Sequence, residues 1–279
     1  MNQSIEIPKL DIHAVKSRQK AMWESGDFGQ VARTIEPVAE AFMSRLELPA
    51  GFRVLDAACG TGNLAVLAAR LGCRVSGLDI AANLIAQARE RARQQSLPIE
   101  FTEGDAEAMP YADASFDAVV SMYGVMFAPR PEEVVRELRR VTKPGGFIAM
   151  ANWTPEGFLG KMFEAFKAHL PPPPHGIPST MLWGDEATVR DRLKRFERIG
   201  LTRRIAVMRY PFPPAETVEF FRRYYGPTGR AFDMLDARAQ DALRRSLVEL
   251  QAAHNVSPTP DTTEVHAEYL EIVATRSRD

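Results

Sequence analysis

Two glycines in the first quarter of the chain have the spacing of a cofactor-binding turn. Gly60 and Gly62 follow an apolar segment, 54–57, and precede a segment with helical spacing that begins at Asn63. Glycine has no side chain, so the backbone can bend sharply and come close to a ligand. The pattern predicts a strand, a turn and a helix whose free N–H groups point back at the turn. We expect this turn to form the floor under a nucleoside-like cofactor.

A carboxylate follows at the end of the next apolar segment. Residues 73–78 predict a second strand, and Asp79 comes directly after it. An acidic residue in this position binds the ribose hydroxyls in a Rossmann-type unit, and the two oxygens of one carboxylate can accept from both hydroxyls. The structural alternatives are an ordinary tight turn for the glycines and a helix-start acid for Asp79.

Strands and helices that alternate along the chain must position these residues. Short apolar strands are predicted at 53–57, 75–78, 99–103, 116–122 and 147–152, and helices at 31–46, 63–71, 82–95, 131–141 and 186–199. This alternation indicates an α/β fold with a parallel, doubly wound sheet. Ligands of such sheets bind outside the carboxyl ends of the strands, where the strand order reverses.

Four motifs in the same order resemble those of class I S-adenosylmethionine (SAM) methyltransferases. They are Asp56-Ala57-Ala58-Cys59-Gly60-Thr61-Gly62, Gly77-Leu78-Asp79-Ile80, Gly104-Asp105-Ala106-Glu107 followed by Phe116-Asp117-Ala118-Val119-Val120, and Val141-Thr142-Lys143-Pro144-Gly145-Gly146. The resemblance covers roughly residues 50–152 and is closest to the small-molecule branch that includes the ubiquinone/menaquinone-biosynthesis C-methyltransferases. It implies a Rossmann-like seven-stranded sheet of order 3-2-1-4-5-7-6 and a methyltransferase that converts SAM to S-adenosylhomocysteine.

The resemblance also implies a role for each cofactor residue. Gly60 and Gly62 would approach the methionine part of SAM, Asp79 the ribose, and Asp105 the adenine amino group. The sulfonium would lie next to Met122. The full implied set of cofactor-binding residues is Asp56, Ala58, Cys59, Gly60, Gly62, Asp79, Ile80, Asp105, Ala106 and Met122. Asp105 is alternatively a helix N-cap.

Four regions are expected along the chain. Residues 1–48 would form an N-terminal helical lid that begins with an arm at 1–10, and 49–153 the SAM-binding core. Residues 154–200, with the run Pro171-Pro172-Pro173-Pro174-His175, would form a cap that governs acceptor choice, and 201–279 would complete the sheet with a helical insertion. Trp23, Phe28 and Gln30 are lid candidates, with packing on the sheet as the alternative for the two aromatic residues.

For methyl transfer from SAM, the protein must align donor and acceptor and exclude water, and it has less need of acid–base groups. Should a base be required, His175 and Tyr123 are the candidates, although a histidine in a proline-rich loop is more often only solvent-exposed. Trp153, Trp183 and Tyr224 are candidates to line an apolar or aromatic acceptor pocket together with Phe221 and Tyr225. For each of these aromatic residues, packing in the core is the alternative.

Composition narrows the classes of partner. The net charge is −1 and no long basic run occurs, which argues against a nucleic-acid partner. The segment Ser121-Met122-Tyr123-Gly124 also lacks the Asn/Asp-Pro-Pro-aromatic signature of base-amino methyltransferases. No signal peptide and no apolar run of membrane-spanning length are found, so no integral membrane contact is expected. Two cysteines, Cys59 and Cys73, placed too far apart for a disulfide, suit a reducing cytoplasm.

No cluster of Cys and His has metal-ligand spacing, so no metal is expected. We also expect a small-molecule substrate and either a monomer or a homodimer.

Two alternative functions stay open. An NAD-dependent oxidoreductase also uses a glycine turn and a later acid, but it expects a fuller G-x-G-x-x-G, and here Ala65 takes the third position. A SAM-binding protein that acts as a non-catalytic regulator is the other.

Overall fold

A single seven-stranded sheet runs through the computed structural model, which describes residues 10–278. The strands are β1 Arg53–Ala57, β2 Arg74–Asp79, β3 Ile99–Glu103, β4 Phe116–Met122, β5 Thr142–Trp153, β6 Phe196–Tyr210 and β7 Thr263–Arg276. Their order in the sheet is 3-2-1-4-5-7-6, with β7 antiparallel to both neighbours and the other pairs parallel. The predicted fold class and strand order are confirmed.

Helices connect and cover the strands. They are α1 Ile12–Glu24, α2 Phe28–Thr34, α3 Glu36–Arg45, α4 Asn63–Arg70, α5 Ala82–Gln94, α6 Pro131–Val141, α7 Phe158–His169, α8 Glu186–Arg192, α9 Pro214–Tyr224, α10 Gly226–Asp233 and α11 Ala237–His254. Short 3-10 turns occupy Val125–Phe127 and Thr180–Gly184. Residues 1–9, most of the expected arm, and residue 279 lie outside the described residues.

The core lies between the sheet and its helices. Strand β4 is almost wholly buried, as an apolar strand in the middle of a parallel sheet must be. Helices α4 and α5 pack on β1, β2 and β3, while α6 packs on β5, and α7 and α11 pack on β7. The N-terminal helices reach the C-terminal ones, since α1 contacts α10 and α2 contacts α9. These contacts bring the two ends of the chain together.

Two helices in the structure differ from the ranges predicted from the sequence. The second N-terminal helix, expected at 31–46, is two helices, because Pro37 at the start of α3 has no N–H to continue α2. The helix expected at 186–199 stops at Arg192, and Phe196 already pairs with β7. Leu193, Phe196 and Ile199 have helical spacing, but pairing along β7 decides the conformation. The proposed cap, 154–200, therefore ends inside β6.

Helix α10 was not anticipated. Its first residues, Gly226 and Pro227, form a dipeptide that is typical of turns. Proline is nevertheless well accommodated in the first helical turn, where an N–H would have no partner. Gly226 is required by packing, because a Cβ there would lie 2.1 Å from the carbonyl oxygen of Met22 in α1. This close approach joins the C-terminal helices to the N-terminal ones.

Candidate functional site

A cleft opens at the carboxyl ends of β1, β2 and β4, at the reversal of strand order. It encloses about 690 Å³ of space, part of it open to solvent. We call it the cofactor cleft. Its lining includes the predicted residues Asp56, Ala58, Cys59, Gly60, Asp79, Ile80, Met122 and Tyr123. Residues of the first, second and fourth strands thus meet around one space, although 67 positions separate Asp56 from Tyr123 (123 − 56).

The glycine turn and Asp79 are joined directly. The backbone N–H of Gly60 donates to Asp79 Oδ2 at 2.8 Å, and the N–H of Ala81 donates to Oδ1 at 2.9 Å. Each carboxylate oxygen retains a second lone pair for a ligand. Gly60 has a φ of 51°, and a Cβ on it would extend toward the Phe28 ring, 3.5 Å away, which lines the same cleft. A side chain at position 60 would therefore take ligand space.

Asp56 lies beneath the turn and is only 2% exposed. Its Oδ2 accepts from the N–H of Ala65 in the first turn of α4 at 2.9 Å. Burial raises the pKa of Asp56 to about 7, with the nearby Asp79 carboxylate adding to the rise and the Ala65 N–H opposing it. Burial also raises the pKa of Asp79, against three backbone N–H groups that lower it. Two buried carboxylates therefore favour a positive ligand in this cleft.

A second space continues from the cofactor cleft toward β3. It encloses about 450 Å³ and shares Trp23, Ala58, Asp79 and Ile80 with the cleft. We call it the acidic recess, and its lining includes the predicted adenine residues Asp105 and Ala106. Because the two spaces share these four lining residues, we treat them as one groove along the strand ends.

Asp105 is held from two sides in this recess. Its Oδ1 accepts from the N–H of Glu107 at 2.8 Å, and its Oδ2 accepts from Lys16 Nζ at 2.5 Å. Lys16 also lies 2.5 Å from the buried Glu107 carboxylate, which Arg130 contacts at 2.6 Å. The Asp105 side chain is thus tied to α1 as well as to its own loop. No local pattern in the sequence connects Lys16 with residue 105.

Helices α1 and α2 cover the groove. Gln19 Nε2 donates to the carbonyl of Phe127 at 2.8 Å, and Lys20 Nζ donates to the carbonyl of Ile80 at 2.9 Å. Trp23 and Phe28 both line the cofactor cleft, while the lid candidate Gln30 instead donates to Asp27 Oδ2 at 3.0 Å. The predicted lid therefore lies against the strand ends through polar contacts and two aromatic side chains.

A third space of about 380 Å³, part of it open to solvent, adjoins the cofactor cleft, and we call it the aromatic cavity. It shares Trp23, Phe28, Ile35 and Tyr123 with the cofactor cleft. Seven aromatic side chains line it: Trp23, Phe28, Tyr123, Phe127, Trp153, Phe221 and Tyr225. They come from α1, α2, the segment after β4, the end of β5 and helix α9 with its C-cap. Trp23 borders all three spaces.

Tyr123 occupies the boundary between the cofactor cleft and the aromatic cavity. Its φ is 54°, an unusual value for a residue with a side chain. Its ring stacks on Trp153 at 3.6 Å between centroids, and its buried hydroxyl has no hydrogen-bond partner among the described residues. Burial raises the pKa of Tyr123 well above its usual value. Tyr123 can donate a hydrogen bond here, but it does not ionise readily enough to act as a base near neutral pH.

Other predicted residues lie elsewhere. Gly62 caps α4 with a φ of 80°, and a Cβ on it would meet the Phe101 ring at 3.2 Å, so it packs inward and Thr61 takes its place in the cleft. Trp183 is buried beneath the Arg192 guanidinium. Tyr224 packs on Phe220. The next residue along the chain, Tyr225, lines the aromatic cavity in its place.

His175 is exposed in the proline-rich loop before Thr180–Gly184 and is not part of the lining of the aromatic cavity. Its role as a base stays a prediction without a supporting contact. Phe127 and Met208 are cavity residues that the sequence interpretation did not name. Phe127 could have been found from its place just after β4, whereas Met208 lies on the distant strand β6 and carries no such signal.

Comparison with known proteins identifies a domain match and several relatives. Residues 55–150 match the methyltransferase domain family. The Mycobacterium tuberculosis protein Rv1405c is 35% identical over 255 residues, which cover 90% of this chain and 93% of that protein. The methyltransferase GfsG of Streptomyces halstedii is 37% identical over 142 residues, or 47% of this chain and 51% of that protein.

Solved structures share the fold. A methyltransferase-like protein from Bacillus halodurans has a TM-score of 0.58 at 18% identity, covering 85% of this chain and 98% of that chain. A Haemonchus contortus phosphoethanolamine N-methyltransferase, in complex with S-adenosylhomocysteine, has a TM-score of 0.57 at 20% identity, covering 86% of this chain and 52% of that chain.

Two further findings concern residues 10–278. No helix there has both the length and the apolar character needed to cross a membrane. No group of three or more His, Cys, Asp or Glu residues in this part of the chain is arranged to hold a metal ion. The chain therefore contains a methyltransferase domain at residues 55–150 and belongs to one family with the Mycobacterium tuberculosis protein Rv1405c.

Proposed function

We propose that the protein transfers the methyl group of SAM to a small apolar or aromatic molecule bound in the aromatic cavity. The observation that carries the proposal is the wall that two adjoining spaces share, formed by Trp23, Phe28, Ile35 and Tyr123. The cofactor cleft contains the carboxylates Asp56 and Asp79, whereas the aromatic cavity has no charged side chain among the described residues that line it. The carboxylates would hold the polar groups of the donor, and the rings would hold an apolar acceptor.

In this arrangement SAM would extend along the groove formed by the cofactor cleft and the acidic recess. Its ribose hydroxyls would donate to Asp79, and its adenine would lie by Ile80 and Asp105. Its sulfonium would lie by Met122 and Tyr123, next to the aromatic cavity. The chain's own contribution is to align donor and acceptor and to exclude water, which can account for about 7–11 kcal/mol of the barrier. The lid formed by α1 and α2 would supply the exclusion.

The first test is cofactor binding. Titration calorimetry with SAM, S-adenosylhomocysteine and NADH should give binding of the first two and none of the third. NADH binding without SAM binding would instead favour the oxidoreductase alternative. Release of S-adenosylhomocysteine in the presence of a panel of small aromatic molecules then distinguishes an enzyme from a non-catalytic regulator.

The second test concerns the aromatic cavity and uses two neighbouring residues as a matched pair. Phe221 lines the cavity, whereas Phe220 packs on Tyr210 and Phe212. Phe221→Leu should raise the KM for the acceptor about tenfold, the loss expected for roughly 1.4 kcal/mol of packing, and leave the Kd of SAM unchanged. Phe220→Leu should leave both unchanged. Equal effects of the two substitutions would show that the acceptor binds elsewhere.

A further inference from the structure

The aromatic cavity also restricts the chemistry of the acceptor atom, an argument that rests on the proposed function. Within residues 10–278, no Asp, Glu, His, Lys, Arg or Cys side chain lines it. The polar side-chain groups of its lining residues are the Tyr123 and Tyr225 hydroxyls and the indole N–H groups of Trp23 and Trp153. None of these accepts a proton near neutral pH, since burial raises the pKa of both tyrosines.

The possible nucleophiles differ in what they require from such a cavity. A phenol, a thiol or an activated carbon reacts after losing a proton, and no lining group is available to take it. A carboxylate arrives already charged, and stripping its water costs several kcal/mol where no cationic side chain replaces that water. An amine nitrogen attacks through its own lone pair while it is uncharged. It therefore needs neither a base nor a counter-ion from the protein.

The rings offer a specific advantage for the product of amine methylation. The Trp23 ring lies 4.9 Å from Phe127 and 5.9 Å from Tyr225 between centroids, and Phe28 lies 5.6 Å from Trp23. A group held among these rings is within the range of about 6 Å over which an aromatic face attracts a cation. The lining thus suits a reaction in which the positive charge of the SAM sulfonium moves to the acceptor atom that receives the methyl group.

We propose that the acceptor is a small molecule with an uncharged amine nitrogen, held in the aromatic cavity with that nitrogen toward the sulfonium. The nitrogen lone pair forms the new C–N bond, and the electron pair of the breaking S–C bond stays on sulfur. SAM becomes neutral at sulfur as the product becomes an ammonium ion. Where the nitrogen still carries a hydrogen, that proton leaves to water after release.

Binding of a charged product mimic tests this inference without requiring turnover. Benzyltrimethylammonium and neopentylbenzene have nearly the same shape and differ in charge. On the complex of the full chain with S-adenosylhomocysteine, the cation should bind at least about tenfold more tightly than the neutral molecule. Phe127→Leu should reduce that preference severalfold, because it removes a ring but retains an apolar side chain. Phe220→Leu, outside the cavity, should retain the preference.

A second experiment measures methylation of two acceptors that have similar shapes and differ in the acceptor atom. Para-propylaniline, which is uncharged at neutral pH, should be methylated, and para-propylphenol should not. Methylation of the phenol at an equal or higher rate would overturn the inference, as would a cation that binds no more tightly than its neutral isostere. If S-adenosylhomocysteine binds but neither mimic does, the aromatic cavity is not the acceptor site and the proposed function fails with it.

Discussion

At the residue scale, Asp79 connects the sequence motif to the geometry of the cleft. Its two oxygens hold the N–H groups of Gly60 and Ala81, so the carboxylate fixes the glycine turn as well as facing the groove. The sequence predicted a ligand-binding acid and left a purely structural role open. The hydrogen bonds show that a structural role is present, and ligand binding remains compatible with it.

Substitution of Asp79 by Ala should therefore have two effects. Loss of the acceptor for the ribose hydroxyls should weaken SAM binding by about 1–3 kcal/mol. Loss of the acceptor for two buried N–H groups should also lower the melting temperature. Calorimetry and thermal unfolding measure the two effects. Asp191→Ala, which removes an exposed carboxylate paired with Lys194, is the control and should change neither. An unchanged SAM affinity in Asp79→Ala would place the ribose elsewhere.

The raised pKa of Asp56 predicts that folding stability and SAM affinity depend on pH. Its pKa of about 7 in the fold lies above the unfolded value of about 3.9. The folded chain therefore binds more protons between these values, and the contribution of Asp56 to stability is lost as pH rises toward 7 and above. SAM carries a net positive charge, which favours the carboxylate form and lowers this pKa. Binding of SAM should then release a proton, and affinity should rise between about pH 6 and pH 8.

Proton release is measured by calorimetry in two buffers with different ionisation enthalpies. The apparent binding enthalpy should differ between buffers near pH 7, and the difference should disappear in Asp56→Asn. A SAM affinity that is constant across this pH range in the unsubstituted protein would show that Asp56 does not sense the ligand's charge.

At the element scale, α1 is held over the groove by side chains from one face. Lys16 reaches Asp105 and Glu107, Gln19 reaches Phe127, and Lys20 reaches the carbonyl of Ile80. Spacings of three and four residues place these side chains on the same side of a helix. A sequence pattern identifies that face as polar, but it does not identify the loops that the face will meet.

Lys16→Met should make the lid open more readily. The change removes the contact with Asp105 but leaves Glu107 paired with Arg130. A partly exposed ion pair contributes up to about 1 kcal/mol, so association and release of SAM should each accelerate by up to about fivefold. Stopped-flow tryptophan fluorescence measures both rates, because Trp23 borders the groove. Lys194→Met should leave them unchanged. Equal rates in Lys16→Met and the unsubstituted protein would mean that α1 does not limit access.

At the scale of the whole molecule, the aromatic cavity depends on contacts between the two ends of the chain. Helix α1 packs on α10 and helix α2 on α9. Of residues 154–200, which the sequence interpretation made the acceptor-recognition cap, only Leu159 lines the cavity. The region that contains α9 and α10 provides Phe221 and Tyr225. We therefore expect acceptor choice to depend more on this region than on the proposed cap.

Two chimeras with the corresponding segments of Rv1405c compare these regions. Replacement of residues 211–235 should change the relative rates across a panel of acceptors more than replacement of residues 154–195. The Kd of SAM should stay the same in both, because the cofactor groove takes no residue from either segment. If replacement of residues 154–195 changed the relative rates more, the proposed cap would be the main determinant of acceptor choice.

The sequence by itself determined the sheet and the position of the cofactor groove. The order of the strands came from the resemblance to methyltransferases. Alternating apolar strands and helices indicated the first five strands of a parallel sheet, and the glycine turn and Asp79 marked the strand ends. These signals are local: a period of two or 3.6 residues and a backbone turn are written in consecutive residues. The same signals failed at Phe196 and at Gly226, where pairing with β7 and packing on α1 decide the conformation.

Only the tertiary structure decided the aromatic cavity and the lid contacts. Tyr123 follows Trp23 by 100 positions and Phe221 follows Tyr123 by 98, yet the three side chains line one space. Apolar patterning reports that an aromatic side chain is buried, but not what it is buried against. Tyr224 and Tyr225 are adjacent and of the same type, yet only Tyr225 faces the cavity, because consecutive side chains leave the backbone in different directions.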